Sequence, residues 1–100
     1  MKITAIIPTL NEEIHIEASI KSVDFADEII VIDSFSTDQT VKLAKNHHVK
    51  IVQRIFDDFS SQKNFAIDLA KNDWIYILDA DERVTPDLRN EILNIDEKTT

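Results

Sequence analysis

Ile29-Ile30-Val31-Ile32-Asp33 and Trp74-Ile75-Tyr76-Ile77-Leu78-Asp79 decide the fold. Each is a nearly continuous apolar run that ends on an aspartate. A strand with one wet face alternates polar and apolar residues, whereas a strand covered on both faces reads as an unbroken apolar run. Working outward, two further runs have the same character, Ile3 to Pro8 and Val49 to Gln53.

Helical segments fall between these runs. Residues 12–23 carry Ile14, Ala18 and Ile20 near helical spacing, with Glu12 and Glu13 in the first turn. Residues 37–47 carry Val41 and Ala44 and open on Ser36-Thr37-Asp38-Gln39, a capping-box pattern. Residues 61–71 carry Phe65, Ala66, Leu69 and Ala70. A fourth helix is predicted from Thr85 as cap, with Pro86 in its first position, through Leu88, Ile92 and Leu93. Trp74 and Phe65 read as core residues. Strand and helix alternating in this way imply an α/β fold, a parallel sheet with helices on both faces and right-handed crossovers. The predicted strand order is 3-2-1-4.

Composition narrows the possibilities. One hundred residues make one domain. The chain has 11 basic and 19 acidic residues, a formal charge of -8, which repels phosphate backbones and removes nucleic acid from the expected partners. There is no cysteine, hence no disulfide and no thiolate metal site. There is no glycine either, which excludes a P-loop and the dinucleotide G-x-G-x-x-G fingerprint. No apolar run approaches the ~20 residues that span a bilayer, and Met1-Lys2-Ile3-Thr4 does not begin a secretion signal. A cytoplasmic location is the default expectation.

In open parallel sheets ligands sit beyond the carboxyl ends of the strands. The first strand is followed by Pro8-Thr9-Leu10-Asn11-Glu12, the second by Asp33-Ser34-Phe35-Ser36-Thr37-Asp38, the fourth by Asp79-Ala80-Asp81-Glu82. Asp79-Ala80-Asp81 is the sharpest of these: two hard oxygen donors on one side of an extended segment suit Mg²⁺ or Mn²⁺. Asn11 is able to cap the first helix, and Glu12 either favours that helix's dipole or accepts from ribose hydroxyls. Asp33 caps its own turn or accepts the N3–H of a uracil. Lys63 offers a cation to a diphosphate or is a solvated helix lysine. Asp38 reads as structural, and His47 and His48 have no evident partner carboxylate.

The ordered set Ile-Ile-Pro-Thr-Leu-Asn-Glu (6–12), Ile-Val-Ile-Asp-Ser-Phe-Ser-Thr-Asp-Gln-Thr (30–40), Ser-Gln-Lys-Asn-Phe-Ala (61–66) and Ile-Leu-Asp-Ala-Asp-Glu (77–82) resembles family 2 glycosyltransferases of the GT-A fold. Gln62-Lys63-Asn64 followed by Asp-Ala-Asp-Glu is most similar to the subgroup of bacterial lipopolysaccharide-core glucosyltransferases. The resemblance covers nearly the whole chain and implies a Rossmann-like three-layer sandwich.

It further implies that Thr9, Glu12 and Asp33 hold uridine, that Lys63 lies near the nucleotide or its diphosphate, that Asp79 faces ribose and that Asp81 is the ligand of Mg²⁺ or Mn²⁺. Pro8, Asn11 and Ala80 complete the nucleotide-binding set. The implied reaction is transfer, with inversion, of a hexose such as glucose from a UDP-sugar to a saccharide or lipid-linked acceptor during cell-envelope polysaccharide synthesis. The inner face of the cytoplasmic membrane is the implied place, reached through segments outside these residues. The family's catalytic base lies in a later segment, so residues 1–100 are expected to be the nucleotide-sugar-binding portion of a longer enzyme, binding nucleotide without transferring sugar. Two departures stand out. Phe35 occupies a position where the family usually has glycine, and Lys63 one where arginine is common, a point charge in place of a fork. Two rival readings are a non-catalytic nucleotide-binding module and a phosphohydrolase with Asp79 as nucleophile and Asp81 as acid–base. The second expects its D-x-D after the first strand.

Overall fold

The structure, a computed structural model, describes residues 2–95. Strands and helices alternate as β1 (Ile3–Thr9), α1 (Ile16–Ser22), β2 (Glu28–Asp33), α2 (Thr40–Ala44), β3 (Lys50–Gln53), α3 (Phe59–Leu69), β4 (Trp74–Ile77) and α4 (Pro86–Leu93). The four strands are parallel and lie in the order β3-β2-β1-β4, the order expected from the sequence.

That order fixes which helix covers which face. From β1 to β3 the chain steps in one direction, and from β3 to β4 it steps back across the sheet. Right-handed crossovers in opposite directions put their helices on opposite faces. The core divides accordingly. Ile3, Ala5, Ile7, Val31 and Leu78 pack with Ile16, Ile20, Ala44 and Ile92 of α1, α2 and α4. Ile6, Ile30 and Ile32 pack with Ala66 of α3. The unbroken apolar runs thus send alternate residues to opposite cores. Ile6, Ile30 and Ile32 are fully buried, and each such side chain contributes roughly 1.5–3 kcal/mol of transfer free energy.

Several expected details change. The first helix begins at Ile16 rather than in residues 12–15, and Ile14 is 86% exposed. The Glu12 carbonyl accepts from the amides of His15 (3.0 Å) and Ile16 (2.8 Å). This makes Ile16, Ser19, Ile20 and Val23 the inward stripe, at helical spacing. The second helix is shortened to Thr40–Ala44, and its cap residue Gln39 makes no side-chain bond; Ser36 and Thr37 are engaged by the loop after β1, while Asp38 accepts from the Thr40 amide at 2.9 Å. The third starts at Phe59, capped by Asp58, whose carboxylate accepts from the Ser61 amide at 2.8 Å. The fourth is capped by Thr85 with Pro86 at its start, as expected. Trp74 opens an edge strand and is 42% exposed, not core. Phe65 is partly buried against the α3-side core. His47 does have a carboxylate partner, Glu17 of α1, at 2.7 Å.

Candidate functional site

The carboxyl ends of β1 and β2 are tied together by their polar groups. Asp33 is fully buried. One of its carboxylate oxygens accepts from the Thr9 hydroxyl (2.7 Å) and the Ser36 hydroxyl (2.5 Å). The other accepts from the Ser36 amide (2.9 Å) and Gln53 Nε2 (3.2 Å). Burial pushes this carboxyl up, but the hydrogen bonds from Ser36, Thr9 and Gln53 outweigh it and hold it below the ordinary carboxylate range.

The loops above these strands are stitched to each other. The Asn11 amide donates to Ser36 Oγ (2.8 Å), and the Asn11 side-chain oxygen accepts from the Thr37 amide (2.8 Å). Asn11 therefore joins two loops instead of capping α1. The Glu12 amide donates to Thr40 Oγ1 at 2.8 Å. Asp38 accepts from the Thr40 and Glu13 amides, the structural role expected of it. Asn11 (φ 54°) and Phe35 (φ 58°) adopt left-handed backbone. Asn tolerates this region, while Phe does so at a cost. The glycine-type turn is therefore kept at Phe35 without glycine.

The turn after β4 is anchored from within. Ala80 is buried in the three-helix core while Asp79 and Asp81 on either side of it are exposed. A small apolar residue between two aspartates thus holds the turn down and leaves both carboxylates outward. The Glu82 amide donates to the Asp79 carbonyl (2.9 Å), and Glu82 Oε1 accepts from the Asp79 amide (3.1 Å). Arg83 Nη1 donates to the carbonyls of Ala80 (3.0 Å) and Glu82 (2.7 Å).

A cleft of about 540 Å³ brings these elements together. Pro8 and Thr9 line it from the end of β1, Leu10 and Glu12 from the loop that follows, Gln62 and Lys63 from α3, and Asp79, Ala80 and Asp81 from beyond β4. It lies between β1 and β4, where the direction of winding reverses and open sheets bind ligands. Of the residues expected in the site, Asn11 and Asp33 do not line this cleft; they hold the loops that do. Sequence reading missed Ser34, Phe56, Phe59 and Gln62, which also line it. The signal for Gln62 was its place beside Lys63 in the quoted motif. A wider hollow of about 820 Å³ at the opposite end of the sheet is lined by Lys2, Asp27, Glu28, His47 and Lys50, among others. Lys2 there lies 3.9 Å from Asp27. That hollow holds none of the residues singled out for chemistry.

Among the described residues no three His, Cys, Asp or Glu side chains are grouped to cage a metal. Glu82 is turned onto the Asp79 amide. The donor set is therefore two carboxylates at an open rim. It fits a Mg²⁺ or Mn²⁺ ion that takes its other ligands from water and a bound molecule's oxygens.

With this geometry in place, comparison with known proteins fixes the class. Residues 4–99 match the family model "Glycosyl transferase family 2", and the chain belongs to that family. An uncharacterized glycosyltransferase of Rickettsia bellii is 47% identical over 92 residues, which are 91% of this chain and 31% of that protein. The lipopolysaccharide core biosynthesis glycosyltransferase LpsC of Rhizobium meliloti is 31% identical over 94 residues, 89% of this chain and 35% of that protein. The chain thus spans about a third of the length of these relatives. Among solved structures, S. aureus TarS 1–349 in complex with UDP-GlcNAc superposes with a TM-score of 0.79 at 26% identity, over 97% of this chain and 32% of that one. Glucosyl-3-phosphoglycerate synthase from Mycobacterium tuberculosis, with Mn²⁺, UDP-glucose and glycerol 3-phosphate, gives 0.71 at 26% identity, over 79% and 33%. The fold is that of the GT-A glycosyltransferases. Among the described residues no helix is long and apolar enough to cross a membrane.

Proposed function

We propose that this chain is the donor-binding portion of an inverting, metal-dependent glycosyltransferase. The donor is a UDP-sugar, with glucose as the sugar, and the acceptor is a saccharide or lipid-linked saccharide of the cell envelope, glycosylated at the cytoplasmic side of the membrane. The observation that carries this reading is the convergence of Glu12, Lys63, Asp79 and Asp81 on one cleft at the switch between β1 and β4. The UDP-sugar complexes of the structural neighbours and the relation to LpsC support it.

In this reading Thr9 and Glu12 hold the nucleoside, with Pro8 and Ala80 as the adjoining walls and Asn11 fixing the loop. Lys63 faces the diphosphate as a point charge. Asp79 faces ribose, and Asp81, with Asp79 beside it, holds Mg²⁺ or Mn²⁺. The ion supplies neutralisation of the charge that builds on the leaving diphosphate. Asp33 acts from behind the cleft through Thr9 and Ser36. The catalytic base and acceptor site belong to residues beyond 100, so this chain binds donor without transferring sugar.

The test is calorimetric titration of UDP, UDP-glucose, ADP and GDP, each with and without Mn²⁺. The reading requires uridine nucleotides to bind in preference and Mn²⁺ to strengthen them. Equal affinity across the panel, or no dependence on Mn²⁺, sinks it.

A further inference from the structure

We propose that Arg83 is a positioning residue for the metal ion: its guanidinium braces the Asp79-Ala80-Asp81 turn and ties that turn to His15 in the β1–α1 connection. This rests on the metal-dependent reading above and deepens it.

Two carboxylates at an open rim bind an ion best when their spacing is set beforehand, because ordering them on binding costs affinity. Asp79 and Asp81 are both exposed, so their placement depends on the backbone that carries them. That backbone is bonded at every peptide from Leu78–Asp79 to Glu82–Arg83. The Asp79 amide donates to Glu82 Oε1 (3.1 Å), and the Asp79 carbonyl accepts from the Glu82 amide (2.9 Å). The carbonyls of Ala80 and Glu82 remain, and both accept from Arg83 Nη1, at 3.0 and 2.7 Å. The Ala80 carbonyl belongs to the planar peptide that joins Ala80 to Asp81. Arg83 therefore sets the plane from which the Asp81 side chain departs.

The other arm of the guanidinium leaves the turn. Nη2 lies 3.3 Å from His15 Nδ1. A guanidinium carries only donors, so His15 turns a ring lone pair toward it. The backbone of His15 is fixed in its turn. Its amide donates to the Glu12 carbonyl (3.0 Å), and the Glu12 amide donates to Thr40 Oγ1 (2.8 Å). Glu12 lines the cleft, as Asp79 and Asp81 do, and Arg83 does not. Arg83 thus acts from behind, joining the turn that bears the carboxylates to the segment that bears Glu12. Its planar fork permits this. A lysine ammonium is a point charge and does not meet two carbonyls and an imidazole at once.

The turn does not depend on Arg83 for its place in the fold. Ala80 and Val84 are buried in the three-helix core, and the Val84 amide donates to Ser22 Oγ of α1 at 3.2 Å. Arg83 itself is exposed. Its replacement leaves the turn docked and loosens its shape.

The test is titration of UDP, with and without Mn²⁺, into the parent, Arg83→Met, Arg83→Lys, His15→Phe and the double variant of Arg83→Met with His15→Phe, with a thermal melt of each. Arg83→Met should cut the factor by which Mn²⁺ tightens UDP about fivefold, with Mn²⁺-free UDP affinity and melting temperature little changed. Arg83→Lys should recover little of the lost factor. His15→Phe should lose less than Arg83→Met, and should add nothing in the double variant. An unchanged factor in Arg83→Met overturns this proposal alone. A loss matched by Mn²⁺-free UDP affinity or by a lowered melting temperature overturns it too, by making Arg83 a general brace of the fold. Full recovery in Arg83→Lys makes charge the cause and overturns the fork. Additive losses in the double variant take His15 out of the tie. A parent in which Mn²⁺ does not tighten UDP sinks the metal-dependent reading, and this inference with it.

Discussion

Thr9 donates its hydroxyl to the buried carboxylate of Asp33 at 2.7 Å, so the last residue of β1 is bonded to the last residue of β2. Asp33 also gathers Ser36 and Gln53, making one carboxylate the common anchor of three strand ends. Asp33→Asn keeps the shape but turns an acceptor into a donor against hydroxyl and amide donors. Unfolding by urea should show a loss of about 1–3 kcal/mol.

The same carboxylate gives the stability a pH dependence. Its folded pKa lies below the ordinary carboxylate value of about 3.9. The stabilisation is therefore complete above that ordinary value and is lost as pH falls through the lower, folded one. Urea midpoints measured from about pH 7 down to about pH 3 should fall in the parent, and the fall should be shallower in Asp33→Asn.

Phe35 stands at φ 58° with half its side chain in water. Left-handed backbone costs a non-glycine residue roughly 1–2 kcal/mol. Phe35→Gly should raise stability by up to about 1 kcal/mol, the relief offset partly by lost burial and by a freer unfolded chain. Phe35→Val, β-branched, should lower it by about 1–2 kcal/mol. Thermal melts of the three proteins in one buffer check the order.

Asp79 and Asp81 place two carboxylates at one rim of a chain carrying -8. On the proposed function, Mn²⁺ alone should bind weakly, and Mn²⁺ and UDP should strengthen each other by the same factor, about 1–3 kcal/mol. Asp81→Asn should remove most of that coupling, and Asp79→Asn less. Titration of UDP into parent and variants, with and without Mn²⁺, measures it. Coupling unchanged in Asp81→Asn would take the ion away from that residue.

His47 Nε2 lies 2.7 Å from Glu17 and joins the end of the α2 segment to α1. The pair is part-exposed, so a double-mutant cycle through Glu17→Gln and His47→Ala should return no more than about 1 kcal/mol of coupling.

Much of the architecture was legible in the sequence because it depends on the order of apolar runs. Ile29 to Ile32 and Ile75 to Leu78 announced strands covered on both faces, and their alternation with helices implied a parallel sheet; the order β3-β2-β1-β4 further required that the first three strands wind one way and the fourth lie across the first. The strand ends also announced where Glu12, Asp79 and Asp81 would meet, and the third helix brings Lys63 to the same cleft. What failed depends on contacts between distant residues. The start of α1 is set by the Asn11 turn, so Ile14 looked like a core position and is not. Trp74 lies on an edge strand, which no local pattern reveals. Glu17 and His47 are thirty positions apart. Arg54 and Gln62 meet only when α3 folds back beside β3, so the sequence assigned neither of them a role.

The loops over β1 and β2 turn on Asn11 and Phe35 in a chain that contains no glycine. Glycine explores both halves of the backbone map freely, whereas these two residues in left-handed conformation occupy a narrow island of it. With Asn11 and Ser36 also bonded to each other's loops, that side of the cleft is set before any ligand arrives. It is built as a fixed jaw, and any motion that accompanies ligand capture is expected of the segments that face it.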